Sequence, residues 1–79
     1  SGVALKALDW RREAEVAYRR ALELEPRAID TWYNLGNLYR EMGQVDQALT
    51  AYAKVVELGR DTPLITRAKK QIAELNTIR

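Results

Sequence analysis

The stretch WYNLGNLYREMGQVDQALTAYAKVVEL, Trp32 to Leu58, decides how the chain is read. At about 100° per residue, Trp32, Leu35, Leu38, Tyr39 and Met42 fall on one side of a helix, and polar groups fall on the other. Gly36 interrupts this pattern. Glycine inside a helix costs roughly 1 kcal/mol relative to alanine, so its position needs a packing reason. It lies about 40° from Trp32, at the margin of the apolar side, where a missing side chain would let a neighbouring helix backbone approach closely. Gly43 then breaks the period and a second amphipathic run follows, so the stretch predicts two antiparallel helices joined by a tight turn.

The same pattern is present one step earlier in the chain. Shifting the sequence by 34 residues aligns Gly2 with Gly36, Ala14 with Ala48, Ala17 with Ala51, Tyr18 with Tyr52 and Leu24 with Leu58. Leu22 meets Val56, Glu23 meets Glu57 and Arg20 meets Lys54 without a gap. A period in this range implies stacked supersecondary units that bury each other's apolar faces. Breaks at Asp9, Pro26, Gly43 and Gly59 to Pro63 divide the chain into five expected helices, over 2–8, 11–24, 30–42, 45–58 and 63–77. Thr62 before Pro63 predicts a capping hydroxyl followed by proline at the first helical position.

The quoted stretch resembles a tetratricopeptide repeat. The pattern W-x2-L-G-x2-Y followed by A-x3-F is met by Trp32, Leu35, Gly36, Tyr39, Ala48 and, conservatively, Tyr52. AEVAYRRALELEP resembles the second helix of a preceding repeat through Ala14, Tyr18, Ala21 and Pro26. That earlier unit has lost most of its first helix, and Leu5 stands where tyrosine is expected. Lys69 and Lys70 replace the Leu-Gly pair in a third frame, so the last segment reads as a cap. Its Leu64, Ile65, Ala68, Ile72 and Leu75 form one stripe, opposite Thr66, Arg67, Lys70 and Glu74. A solenoid end needs such a polar outer face. The resemblance implies an all-α fold of antiparallel helix-turn-helix repeats in a short right-handed solenoid. One domain spans 1–79, with a partial repeat at 2–28, a full repeat at 29–62 and a capping helix at 63–79.

Composition narrows the function. The 79 residues contain no cysteine and no histidine, which removes the usual nucleophile–base pairs and the commonest zinc ligands. No catalysis, cofactor or metal is expected. The 13 basic and 11 acidic side chains are interspersed, giving a net charge of +2 rather than the clustered basic face that nucleic acid requires. No apolar run reaches the ~18 residues of a membrane span. Ser1 and Gly2, with no methionine, read as the edge of an excised fragment, and a cytoplasmic setting is the expectation.

The resemblance also implies a partner site, because such domains present the first helix of each repeat to a concave groove that takes a peptide or partner protein. The candidate contacts are Tyr33, Asn34, Asn37, Arg40 and Glu41, joined by Lys6 and by Arg67 and Gln71 of the cap. An aromatic ring flanked by amides, as in Tyr33, Asn34 and Asn37, offers apolar area together with fixed hydrogen-bonding groups. Asp30, Arg40 and Glu41 equally suit an ordinary solvated face. Arg11, Glu15, Arg19 and Glu23 recur every four residues as an expected ion-pair ladder. The basic C-terminal end, with Arg67, Lys69, Lys70 and Arg79, would suit an acidic peptide. The short first helix leaves part of an apolar face uncovered, which predicts self-association at an edge that includes Val16, Tyr18 and Leu22, with Trp10 folding back over the gap.

Overall fold

The computed structural model describes residues 2–60 and 62–78, with side chains from residue 7 onward. Among the described residues there are four helices and no strand: α1 (Gly2–Leu24), α2 (Ile29–Glu41), α3 (Val45–Leu58) and α4 (Pro63–Ile78). α2 and α3 form the antiparallel pair expected from Trp32 to Leu58. α1 packs on α2, and α4 packs on α3 and the edge of α2.

The expected count of five helices is corrected to four, because the chain does not break at Asp9. The reason is visible 34 residues later. α2 ends on Gly43, whose φ of +77° is left-handed. Gln44 N–H bonds the Tyr39 carbonyl at 2.9 Å and Gly43 N–H bonds that of Arg40 at 3.0 Å, the paired bonds that close a helix on a left-handed residue. Asp9 occupies the equivalent place in the first repeat, where a side chain makes the left-handed conformation costly. With neither glycine nor proline to stop it, α1 continues through. Gly43→Ala is therefore expected to cost about 1 kcal/mol of backbone strain, although nothing lies within 4 Å of the added Cβ. Urea titration of the two chains measures it.

The α1–α2 turn runs through Pro26 and Arg27. It is fastened by Ala28 N–H to the Glu25 carbonyl at 3.1 Å and by the Trp32 indole N–H to the Pro26 carbonyl at 2.8 Å. Asp30 in the first turn of α2 and Arg40 in its last complement the helix dipole. α4 starts at Pro63 as expected, but the Thr62 hydroxyl is buried without a hydrogen-bond partner, so the expected side-chain cap is absent.

The core is Leu22 of α1, Leu35, Leu38 and Tyr39 of α2, Ala48, Ala51, Tyr52 and Val55 of α3, and Ala68 and Leu75 of α4. Alanine at 48 and 51 lets α2 approach α3. Gly36 serves that approach in a way its position on the helix did not specify, since the group lying over it is the Tyr52 ring and not backbone.

The N-terminal edge also differs from its sequence reading. Leu22 belongs to the core, Tyr18 packs against it, and Val16 is exposed, so the three do not share one open face. Val16 lies about 120° around the helix from Leu22. Trp10, rather than folding back, is 63% exposed.

Candidate functional site

The site residues on α2 divide by the neighbour each faces. Asn34 and Glu41 lie on the solvent side and are exposed. Tyr33, Asn37 and Arg40 are half-buried, because about 100° of rotation carries them toward α3 and α4. The Tyr33 ring leans on that of Tyr52, with centroids 5.6 Å apart and planes at 55°. Asn37 Oδ1 accepts the Tyr52 hydroxyl proton at 2.5 Å. That bond orients the amide, leaving its NH2 group as the free donor.

The flanking charges reach across to other helices. The Arg40 Nη1 donates to Glu74 Oε1 of α4 and Arg11 Nε of α1 donates to Glu41 Oε2, both at 3.4 Å. Both pairs are partly open to solvent and contribute little energy each, and they set side-chain direction along both rims. Arg67 is exposed on the same face of α4 as Glu74, two turns away. Gln71 is half-buried, with its Oε1 enclosed and unbonded. The side chain of Lys6 lies outside the described residues, as does Arg79. The structure thus joins Tyr33 and Asn37 through Tyr52, sets Asn34 and Glu41 beside them, and ties Arg40 to the cap.

Burial pushes the Tyr52 hydroxyl up to about 12, with the neighbouring Tyr33 hydroxyl adding to the rise. Tyr39 is likewise raised, first by burial and then by the hydrogen bond it donates to Glu15.

Tyr39 anchors a cluster that the spacing of charges alone did not indicate. Its hydroxyl donates to Glu15 Oε2 at 2.6 Å and accepts from Arg19 Nη2 at 2.6 Å, while Arg19 Nε donates to the same carboxylate at 3.1 Å. The expected ladder on α1 is therefore limited to its Glu15–Arg19 step, because Arg11 is drawn to Glu41. A cleft of about 540 Å³ opens beside this cluster, between α1, α2 and α3, walled by Leu22, Trp32, Leu35 and Ala51. It lies on the opposite side of α2 from Asn34 and Glu41.

Among the described residues no helix is long and apolar enough to cross a membrane, and no group of three acidic or other ligating side chains could hold a metal ion.

Two family models, both described as tetratricopeptide repeat, match the chain, one over residues 1–27 and the other over residues 29–61. The chain belongs to the tetratricopeptide repeat family. A relative in Xenopus laevis, Tetratricopeptide repeat protein 37, is 38% identical over 64 residues, covering 77% of this chain and 4% of its own length. TPR repeat-containing protein MJ0941 of Methanocaldococcus jannaschii is 40% identical over 52 residues, covering 66% of this chain and 15% of its own. A third relative is a probable UDP-N-acetylglucosamine–peptide N-acetylglucosaminyltransferase, SPINDLY, of Oryza sativa subsp. japonica. It is 42% identical over 53 residues, 67% of this chain and 6% of that protein. The chain therefore spans a small part of each relative. Tetratricopeptide repeats are protein–protein interaction modules, and a fragment of such repeats is not itself catalytic.

Proposed function

We propose that this tetratricopeptide repeat domain binds an extended segment of another protein along the solvent face of α2. The observation that carries the reading is the Tyr52–Asn37 bond, which orients the Asn37 amide so that its NH2 group is left for a partner carbonyl, one turn from exposed Asn34. The Tyr33 ring supplies an apolar wall beside the amides. A site held by packed helices loses little entropy on binding, so a weakly structured segment can dock without rearranging the domain. The sugar-transfer activity named for the rice relative is not carried to this chain, which holds 6% of that protein's length.

Two substitutions test the groove. Asn34→Ala removes an exposed amide that makes no contact needed for folding, and Asn37→Asp keeps the acceptor for Tyr52 while removing the NH2 donors. Each is expected to reduce capture of partners from a cell extract several-fold, with the circular dichroism spectrum unchanged. Capture that neither substitution alters removes α2 from the binding face.

A second reading, self-association through the N-terminal helix, is favoured by Trp10 and Leu24, which are 63% and 85% exposed.

A further inference from the structure

The straight course of α1 puts a regular apolar seam on its outer side. Ala7, Trp10, Ala14, Ala17, Ala21 and Leu24 alternate at spacings of three and four, the period of a coiled-coil core. The seam runs for about 26 Å and lies roughly 110° around the helix from the side that packs on α2. Ala7, Trp10, Ala17 and Leu24 are exposed, Ala21 is half-buried, and Ala14 is half-buried at the margin where α1 meets the core. The equivalent stripe one repeat later, Ala48, Ala51 and Val55, is 0–2% exposed and is covered by the antiparallel helix α2. The chain thus contains a worked example of what this stripe receives, and on α1 the stripe beyond Ala14 lacks it.

We propose that the seam is filled by α1 of a second copy, running antiparallel about a two-fold axis that passes between Glu15 and Val16. In this register Trp10 meets Ala21 of the other copy, Ala14 meets Ala17, and Leu24 meets Ala7, so each large side chain enters the space over a small one. The four central alanines let the helix axes approach to about 8 Å, the close end of the usual range. Charge selects the same register. Glu13 flanks the seam and comes beside Arg20 of the second copy, and the two-fold repeats the pair. Both side chains are exposed and neither has an ion-pair partner among the described residues. Sliding by one heptad sets Arg20 against Arg20 or Glu13 against Glu13. A parallel pair sets Trp10 on Trp10 and leaves alanine facing alanine in between.

The inference rests on the self-association reading and is independent of the groove on α2. Sedimentation equilibrium of the full chain from ten to several hundred micromolar tests association itself, and the expected mass rises from one chain to two. Glu13→Arg and Arg20→Glu then test the register. Each alone turns both cross-pairs repulsive and is expected to weaken the dimer on the order of ten-fold. Mixed in equal amounts, the two variants restore association, because the introduced arginine of one chain then faces the introduced glutamate of the other, while the unchanged Arg20 of the first faces the unchanged Glu13 of the second. Circular dichroism confirms that these exposed changes leave the fold intact. A chain that stays monomeric overturns self-association altogether and assigns the seam to a helix of another protein. A dimer indifferent to both substitutions, or variants that fail to prefer each other, overturns this register and leaves self-association standing.

Discussion

Gly36→Leu is expected to lower the melting temperature by about 10 °C or more, although leucine is the better helix former by nearly 1 kcal/mol. A Cβ built at this position lies 2.7 Å from both Cδ1 and Cε1 of Tyr52, closer than Cβ atoms of folded proteins come, and 3.1 Å from its Cζ, which is tight. The ring has little room to yield. Tyr52 is 0% exposed, its hydroxyl is bonded to Asn37, and the Tyr33 ring rests beside it. Overpacking of this kind costs ~1–3 kcal/mol, and each kcal/mol shifts the midpoint of a domain this size by roughly 4–8 °C. Leucine adds three further carbons beyond the first clash and belongs at the upper end. Differential scanning calorimetry of the single variants, and of Gly36→Ala combined with Tyr52→Leu, distinguishes the cause. If the ring is the obstacle, the combined loss is smaller than the sum of the separate ones. Strict additivity would count against it.

Truncating Tyr52 itself has the larger expected effect. Tyr52→Ala empties the space shared by α2, α3 and α4 and leaves Asn37 without its donor, a loss of about 3–5 kcal/mol. A chain of 79 residues has a total stability of roughly 4–12 kcal/mol, so the loss is about half of a mid-range value, readable as a urea midpoint lowered by about half. Tyr52→Phe keeps the ring and costs ~1 kcal/mol. It also carries a pH signature. The folded hydroxyl titrates at about 12 against 10 for the unfolded group, so the neutral form is the one the fold favours. Its contribution is complete below pH 10 and is lost as pH rises from 10 through 12. Tyr52→Phe removes most of that alkaline loss, leaving the smaller share that belongs to Tyr39. A parent chain whose denaturant midpoint holds steady from pH 9 to 12 would refute the assignment.

The helical pairing of residues 29–58 is legible in the sequence because it rests on short-range signals: the 34-residue register, the apolar period on each side of Gly43 and the glycine itself. The start of α4 at Pro63 is legible for the same reason. Asp9 misleads because a poor helix former is not a terminator. A stop needs a residue that takes the left-handed turn, as Gly43 does, or one that lacks the N–H. The outward positions of Asn34 and Glu41 also follow from helical angle. What cannot be read is which polar groups already serve the fold. Asn37 answers Tyr52, Arg40 answers Glu74 and Glu41 answers Arg11, partners that are 15, 34 and 30 residues away. Sequence spacing sees pairs along one helix, as with Glu15 and Arg19, and is blind to the Tyr39 hydroxyl that joins them from the next.

Positions 9 and 43 compare one instruction present and absent in a single molecule. Apolar positions of the second helix recur from one repeat to the next, at 14 and 48, 17 and 51, 18 and 52 and 24 and 58, yet one chain segment doubles back and the other runs on. Gly43 takes the left-handed turn that reverses the chain, and position 9 has no residue suited to it. Where the turn is missing, alanines that elsewhere serve a neighbour in sequence are left for a neighbour in space. On the reading proposed above, the repeat completes that surface by placing Ala7 and Trp10 where the next repeat has Glu41 and Gln44.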